Sequence, residues 1–354
     1  MRPAFRMMPR SPLAGALIVA GTALACLLAF EIDNVQLYDR MGTYALTAIG
    51  LSLLMGFAGQ VSLGQGAFFM LGAYAAAIVT IGIVPSHRDP LGTVHPTAGF
   101  SPWLALAAAP LVSGAAAAVV GVFLLRLRGH YLAFATLALH LMAIQVAFAE
   151  RSFLGSEYGL SVTKQLKLGG RALTGSTHAA VVWGLVGAAL VVGVNLLRSR
   201  IGRALQAIAV SEPAAATAGV NVASVKLRLF VLAAALAGLG GGLFALQFQY
   251  QSVSPRVFPV LLSIEFVVMV AVGGLGNIYG AVAGAVAITY LAEKLRDLGQ
   301  QPTLLGIHLS SHAPEVLSTG AFAIVLIAVM LLAPHGLVPA LGNTFSGLRR
   351  RLRR

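Results

Sequence analysis

Residues 41–84 read MGTYALTAIGLSLLMGFAGQVSLGQGAFFMLGAYAAAIVTIGIV and contain no Asp, Glu, Lys or Arg. Their two apolar runs, 41–58 and 67–84, approach the length of about 20 residues that a helix needs to cross a bilayer. A glycine-rich link, residues 56–66, joins the runs. Unwound backbone at membrane depth is tolerated only where protein buries it or where it lines a water-filled cavity. The stretch therefore predicts two membrane helices joined either by an interrupted segment along a substrate path or by a small-residue packing face.

The composition of the whole chain favours the same class of protein. Of 354 residues, 58% are hydrophobic and only 10% are charged, whereas roughly one quarter of a soluble domain is charged. This excludes a soluble enzyme, a disordered protein and a collagen-like fibre, and the unbroken apolar runs exclude a membrane β-barrel. We expect one all-α domain, residues 1–354, that is a polytopic membrane protein of about ten transmembrane helices with two Gly-rich broken or re-entrant segments. The candidate spans are 13–30, 41–58, 67–84, 103–125, 130–149, 179–197, 227–249, 257–275, 278–292 and 316–333.

The positive charges are distributed unevenly among the connections. The formal net charge is +13, and the positive-inside rule explains that excess more simply than nucleic-acid binding does. Connections on one predicted side hold 15 basic residues and a single acidic one, Glu212. The basic residues are Arg2, Arg6, Arg10, Arg126, Arg128, Arg198, Arg200, Arg203, Lys226, Arg228, Arg349, Arg350, Arg351, Arg353 and Arg354. We therefore expect both termini and the segment 198–226 to be cytoplasmic, and the tail 349–354 to contact anionic membrane lipid.

A second charge-free, glycine-rich link lies at residues 273–280. Its Leu275-Gly276-Asn277 matches Leu63-Gly64-Gln65 of the first link, and Gly-Ala follows eight residues after the central glycine in both. Paired glycine interruptions in the two halves of a transporter mark a binding site near the membrane midplane. The candidate substrate-path residues are Gly59, Gln60, Ser62, Gly64, Gln65, Gly273, Gly274, Gly276 and Asn277.

The cytoplasmic segment 198–226 contains a short helix over residues 211–219. Ser211 is a suitable N-cap, a carboxylate at 212 suits the positive helix end, and Gly219 is a natural stop. Its alanines form a smooth face that fits a groove on another protein, although a lone surface helix has the same pattern. The candidate docking residues are Ser211, Glu212, Ala214, Ala215 and Gly219.

A few polar residues lie inside predicted spans, where they suggest function or interhelical pairing. Glu265 either faces the substrate path or pairs with a basic group such as Arg256, and the pairing is favoured. We expect His140 and Gln145 to form interhelical hydrogen bonds rather than a proton relay.

Catalytic and metal-binding motifs are missing from the sequence. There is no G-x-x-x-x-G-K-[ST] and no H-E-x-x-H, so the chain does not hydrolyse ATP by the usual machinery. His308 and His312 have the spacing of a metal pair but lack a third ligand. We expect no catalytic residues, no metal and no cofactor on this chain.

Together these motifs resemble the permease subunits of bacterial branched-chain amino acid ABC transporters, specifically the LivM type. The resemblance extends over residues 41–339. It rests on GQVSLG at 59–64 with AFF at 67–69 and GAY at 72–74, RGHYLA at 128–133 with TL at 136–137, GRA at 202–204 with EPAAATAG at 212–219 and Asn221, SIE at 263–265, GGLG at 273–276, and PHGL at 334–337.

The resemblance implies a permease subunit of an ATP-driven importer for branched-chain or other hydrophobic amino acids in the bacterial inner membrane. Its implied partners are a second permease, two ATP-binding subunits that use the ATP, and a periplasmic substrate-binding protein. The resemblance also implies that the docking residues Ser211, Glu212, Ala214, Ala215 and Gly219 couple this chain to an ATP-binding subunit. Departures from the family pattern concern the substrate: Gln65 stands where the family usually has His, and His140-Leu141 stands where it has Gly-Glu. Permeases of the same family for urea or short amides are therefore the alternative. From another class, the alternative is a self-sufficient channel or ion-coupled carrier.

Overall fold

The computed structural model describes residues 34–82, 99–127, 129–150, 154–162, 166–168, 171–173, 175–247 and 252–299, with isolated positions toward both ends. The candidate spans 13–30 and 316–333 and the tail 349–354 lie outside these stretches.

The described residues form helices connected by short links and tight loops, as the apolar runs predict. The α-helices are α1 Val35–Phe57, α2 Gln65–Ile81, α3 Pro102–Leu124, α4 His130–Ala149, α5 Ser176–Arg198, α6 Arg200–Val210, α7 Glu212–Thr217, α8 Val222–Gln247, α9 Val260–Gly273 and α10 Ile278–Gly299. Single 3-10 turns occupy Ser156–Tyr158 and Pro255–Val257. Three antiparallel ladders of two strands pair β1 Leu160–Ser161 with β4 Ser252–Val253, β2 Lys167–Leu168 with β3 Arg171–Ala172, and β5 Thr303–Leu304 with β6 Ile307–His308. The expected all-α membrane fold is confirmed.

Eight of the candidate spans coincide with described helices. Among the described residues, α3, α4, α5, α8, α9 with its preceding 3-10 turn, and α10 are long and apolar enough to cross a membrane, and α2 is a shorter apolar helix. Helix α1 has 23 residues and is less apolar, but it is buried along most of its length. Its polar residues Thr43, Thr47 and Ser52 are fully buried, so they contact protein rather than lipid.

Close backbone contacts hold α1, α2 and α8 together at the centre. A methyl group on Gly50 of α1 would lie 2.9 Å from the Ala233 carbonyl oxygen of α8, and one on Gly240 would lie 2.6 Å from the Thr43 oxygen. Gly72 of α2 packs directly on the backbone of α8 in the same way. Small residues allow this approach, which is the usual basis of helix association in membranes.

Contacts at both ends of α1 establish the direction of its neighbours. Arg40 near its start pairs with Glu293 at 3.1 Å, whereas Gly56 near its end packs on Gly276, so α10 is antiparallel to α1. Helix α5 is parallel to α1, since His178 contacts Asp39 and Gly193 approaches Leu53.

The links 58–64, 125–129, 199–221 and 274–277 consequently begin at one end of the bundle, which we call the basic end. The described charged residues there are six basic residues and one acidic residue: Arg126, Arg198, Arg200, Arg203, Lys226, Arg228 and Glu212. The ladder of β1 and β4 and the described residues between 150 and 175 lie at the other end, which we call the opposite end.

Candidate functional site

Residues 58–64, which we call the interrupted segment, run from the basic end into the bundle. Leu63 donates its backbone N–H to Thr136 Oγ1 at 2.9 Å, and Gly64 packs so closely that a methyl group would lie 2.6 Å from the Thr136 carbonyl oxygen. The next contact of the chain is with His140, which is the eleventh of the 20 residues of α4. Helix α2 therefore starts about halfway along α4, and the segment before it is unwound within the bundle.

A buried hydrogen-bonded cluster holds the start of α2. Gly66 donates its N–H to Ser263 Oγ of α9 at 2.9 Å, and Ser263 Oγ is 2.8 Å from His140 Nδ1 of α4. Both side chains are fully buried. The first N–H groups of a helix have no partner within the helix, and here another helix supplies one. The expectation that His140 forms an interhelical hydrogen bond is confirmed.

Other polar atoms of the interrupted segment and the adjoining α2 residue are buried without a partner among the described residues. They are Gln60 Oε1, Ser62 Oγ and both side-chain amide atoms of Gln65. Gln65 is fully buried, and Ser62 is 1% exposed. A buried polar group without a hydrogen bond costs about 1–3 kcal/mol, so several of them in one short stretch are unusual for a purely structural link.

The second glycine-rich link differs from the first. Gly274 and Gly276 have φ of +104° and +80°, a backbone conformation that glycine adopts without penalty. Asn277 Oδ1 accepts hydrogen bonds from the N–H groups of Tyr279 at 3.1 Å and Gly280 at 3.2 Å, and so caps α10. Gly273 packs on the Gly280 backbone. This link is a tight turn of an antiparallel helical hairpin at the basic end, so the expectation of two matching interruptions at mid-depth fails for it.

Residues 198–226, which we call the coupling segment, fold as the capping residues of α7 predict. Ser211 Oγ accepts from the Ala214 N–H at 3.4 Å at the start of α7, and Gly219, with φ +85°, follows its end. Helix α6 precedes it and buries Gly202, Leu205 and Ile208 on one face.

The alanines of α7 do not all face outward. Ala214 and Ala216 are exposed, but Ala215 is only 2% exposed and packs on its own chain. Ala215 is therefore corrected from a candidate contact with the ATPase to a residue that seats α7 on this subunit.

A cavity of about 670 Å³ separates the interrupted segment from α7. The segment and α7 both line it, together with the turn between α3 and α4 and the first turns of α4 and α8. The lining residues are Gly59, Gln60, Val61, Leu125, Leu127, Gly129, His130, Leu132, Glu212, Pro213, Ala216, Val222, Ala223 and Lys226. Lys226 forms an ion pair with Glu212 in the cavity wall.

Sequence reasoning missed the partners that position this site. Thr136 and Ser263 are 73 and 197 residues away from the backbone groups they bind, and Lys226 is 14 residues from Glu212. Thr136 and Ser263 do lie within motifs that carry the family resemblance, which is the one signal that pointed to them.

The expectations about charged and polar residues in the spans are wrong in the choice of Arg256 as the partner of Glu265 and in the interhelical hydrogen bond of Gln145. Arg256 pairs with Glu157 of the connection at the opposite end, and not with Glu265. Glu265 is half-buried and interacts electrostatically with Arg296 and Arg40. Gln145 is exposed on α4.

The buried pair of Asp39 and His178 was not anticipated. His178 Nδ1 lies 2.7 Å from Asp39 Oδ2, and the two residues are 3% and 2% exposed. The pair joins α5 to α1 at the opposite end.

A metal site can be assessed only in the described part of the chain. There, no group of three or more His, Cys, Asp or Glu side chains is placed to hold a metal ion. The side chains of His308 and His312 lie outside it.

Comparison with known proteins bears on the whole of this arrangement. Residues 35–334 match the family described as branched-chain amino acid transport system / permease component. The chain belongs to this permease family. It is a transport subunit rather than an enzyme, and a multi-pass membrane protein, as its motifs and apolar helices predict.

Individual relatives show the same affiliation. The high-affinity branched-chain amino acid transport system permease protein LivM of Salmonella typhimurium is 28% identical over 320 residues, covering 84% of this chain and 68% of the relative. The high-affinity branched-chain amino acid transport system permease protein LivH of Escherichia coli is 26% identical over 306 residues, covering 84% of this chain and 91% of the relative. A probable LivH permease of Methanocaldococcus jannaschii is 28% identical over 322 residues, covering 86% and 91%. No solved structure matches the chain.

Proposed function

We propose that this chain is the permease subunit of an ATP-driven importer for branched-chain or other hydrophobic amino acids in the bacterial inner membrane. The observation that carries the proposal is the course of the interrupted segment. It begins in the cavity that α7 lines and ends at mid-depth among buried polar groups that have no hydrogen-bond partner in the described part of the chain. A permease needs such a continuous polar stretch between one face of the membrane and its centre.

In this proposal Gly59, Gln60, Ser62, Gly64 and Gln65 line the substrate path. The hairpin residues Gly273, Gly274, Gly276 and Asn277 bound the path at the basic end, because the hairpin packs on the last turn of α1 just before the interrupted segment.

The coupling segment supplies the link to ATP hydrolysis, which takes place on partner chains. Two ATP-binding subunits dock on the exposed side of the segment 198–226 through Ser211, Glu212, Ala214 and Gly219. A displacement of α7 then changes the shape of the cavity that α7 shares with the interrupted segment. The basic end faces the cytoplasm, where basic residues concentrate. A periplasmic binding protein delivers the amino acid at the opposite end, and a second permease completes the path.

Uptake by the complete set of subunits tests the proposal. Cells that lack their own transporters and express the permease pair, the ATP-binding subunits and the binding protein are given labelled leucine, isoleucine, valine, phenylalanine, urea and acetamide. We expect uptake of the hydrophobic amino acids that stops when the ATP-binding subunits are inactivated.

Two results contradict the proposal in different ways. Uptake of urea or acetamide alone identifies a permease of the same family for amides. Uptake by this chain without the ATP-binding subunits identifies a self-sufficient channel or carrier.

A further inference from the structure

One face of α4 is exposed along most of the helix and has a regular pattern. Its residues recur at alternating steps of three and four, and they are Tyr131, Phe134, Ala138, Leu141 and Gln145, which we call the α4 seam. Tyr131 is 77% exposed and Phe134 is 66% exposed, whereas Thr136 and His140 on the other face are fully buried. Apolar residues at this spacing are typical of a helix that packs lengthwise on a second helix.

Gln145 distinguishes the α4 seam from a surface that contacts only lipid. It is the sixteenth of the 20 residues of α4, about 6 Å before the end of the helix, so hydrocarbon would surround its side chain. The side chain is exposed, and no described residue of this chain forms a hydrogen bond with it. Lipid tails cannot satisfy the donors and the acceptor of an amide, whereas a second membrane helix can.

Helix α3 provides the comparison with a lipid-facing surface in the same protein. It is as exposed as α4, since 33% of each span is buried. Beyond the first turn of α3 its exposed residues are all apolar, including Leu111, Val119 and Phe123. The amide on α4 is therefore not a consequence of exposure alone. A single polar residue within an apolar seam also fixes the register of two packed helices.

The buried face of α4 lies against the proposed substrate path. Thr136 accepts the hydrogen bond from the Leu63 N–H, and His140 contacts Ser263, which accepts the one from Gly66. A helix packed on the α4 seam would thus lie one helix away from the interrupted segment, at an interaxial distance of about 8–10 Å from α4. This location suits the subunit that completes the path.

We propose that the α4 seam is the contact with the second permease, and that the equivalent helix of that permease lies along it. Relatives of two kinds, LivM and LivH, both match most of this chain, so one fold occurs in two different permeases. Two chains of one fold pair most simply about a twofold axis, which places the same face of both in the contact. Both permeases dock ATP-binding subunits at the basic end, so the two helices run parallel. The hydrogen bond that Gln145 lacks within its own described chain forms across this contact. This inference rests on the proposed function, which supplies the second permease.

Photo-crosslinking in the complete transporter tests the proposal. The two permeases carry different epitope tags and are co-expressed with their ATP-binding subunits, and p-benzoylphenylalanine replaces residue 134 or 141 of this chain. The controls place it at residue 111 or 119 of α3. After irradiation of the membranes, we expect an adduct that carries both tags from the two seam positions and no such adduct from α3.

Substitutions measure what the α4 seam contributes to pairing. Ala138→Trp puts a bulky ring in the middle of the seam and should abolish co-purification of the second permease. Ala115→Trp, at an exposed alanine of α3, is the matched control and should leave co-purification unchanged. Gln145→Leu should weaken the association of the two permeases about threefold to tenfold, the range of one hydrogen bond between membrane helices. Energy transfer between labelled permeases diluted in detergent micelles measures that association. Each variant expressed alone should reach the membrane at the level of the unaltered chain, because these side chains are exposed.

Several outcomes overturn the proposal. They are an adduct with lipid alone, an adduct of two copies of this chain, or an adduct within the chain that peptide mapping places on the candidate spans 13–30 or 316–333. Equal association of the permeases in Ala138→Trp and Ala115→Trp overturns it as well. A transporter that imports leucine yet shows one of these results refutes the inference alone. A transporter that imports only urea refutes the proposed function, and the crosslink still reports separately on the α4 seam.

Discussion

Single glycines decide whether the interrupted segment fits between α4 and α9. A methyl group on Gly66 would lie 2.5 Å from His140 Cε1 and 2.6 Å from Ser263 Oγ, and one on Gly64 would meet the Thr136 backbone. The sequence left two interpretations of these glycines open, a path or a packing face. The structure shows close packing at Gly64 and Gly66, and beside them the side chains of Ser62 and Gln65 have no hydrogen-bond partner among the residues it describes. Contacts with residues distant in the chain distinguish a path from a packing face. The spacing of the glycines along the sequence does not reveal these contacts.

Gly64→Ala should destabilise the protein by about 1–3 kcal/mol, because the added methyl group overpacks the contact with Thr136. Uptake per expressed molecule should fall with it. Gly184→Ala is the control: nothing lies within 4 Å of a methyl group there, and alanine favours the helix by roughly 0.5–1 kcal/mol. Thermal unfolding in detergent measures both variants. Equal melting temperatures for Gly64→Ala and the unaltered protein would contradict this packing argument.

Ser263→Ala should cost about 1–3 kcal/mol, because it leaves the buried Gly66 N–H and His140 Nδ1 without the hydroxyl that contacts them. Thr289→Val is the matched control. The Thr289 hydroxyl is buried and has no partner in the described part of the chain, so its removal should be neutral or stabilising. The same unfolding assay compares the two, and a larger loss in Thr289→Val would sink the assignment.

At the scale of the element, the sequence predicted the existence of α7 better than its orientation. A cap, a proline in the first turn and a terminal glycine are local signals, and α7 occupies Glu212–Thr217 as they require. Which alanine faces the subunit depends on α6 and α8, which no local pattern encodes. The second glycine link is similar: its glycines are needed for positive φ and for hairpin packing, and composition alone made it look like a second interruption.

Ala214→Trp should leave the permeases in the membrane but weaken co-purification with the ATP-binding subunits. Ala214 is exposed on α7, and a clash of about 1.4 kcal/mol at a docked surface reduces affinity about tenfold. Leu111→Trp, at a position 71% exposed on α3, places the same indole on a lipid-facing surface and should be neutral. Unchanged co-purification and ATP hydrolysis in Ala214→Trp would show that α7 does not dock.

At the scale of the whole molecule, the apolar runs predicted the described helices well. Charged residues led to a wrong prediction of where a helix begins. The sequence-based span began at residue 41, but α1 begins at Val35 because Asp39 and Arg40 are accommodated within it. Their partners His178 and Glu293 lie 139 and 253 residues away, so only the folded bundle reveals that these charges are paired. The uneven distribution of basic residues could be predicted from the sequence, because it depends only on which residues lie in the connections between apolar runs.

Labelling of single cysteines should show the basic end on the cytoplasmic side. After Cys26→Ser, a Lys167→Cys variant should react with an impermeant maleimide in intact spheroplasts. An Ala207→Cys variant should react only after permeabilisation. Both positions are exposed, and they lie at opposite ends of the bundle, so accessibility reports sidedness rather than burial. The reverse pattern would refute the proposed orientation.

The hydrogen bonds of the interrupted segment also constrain how the ribosome and the insertion machinery build this protein. The side chain that accepts a hydrogen bond from the Leu63 N–H is synthesised 73 residues later. The acceptor for the Gly66 N–H is synthesised 197 residues later. Exposed to lipid, an unpaired backbone group costs several kcal/mol. The nascent hairpin of α1 and α2 therefore cannot reach its final position in the bilayer until α9 has been synthesised. Until then, its unpaired backbone groups must be kept away from lipid. Truncation of the gene between α8 and α9 should yield a chain that the membrane quality-control proteases degrade, although most of its helices are present.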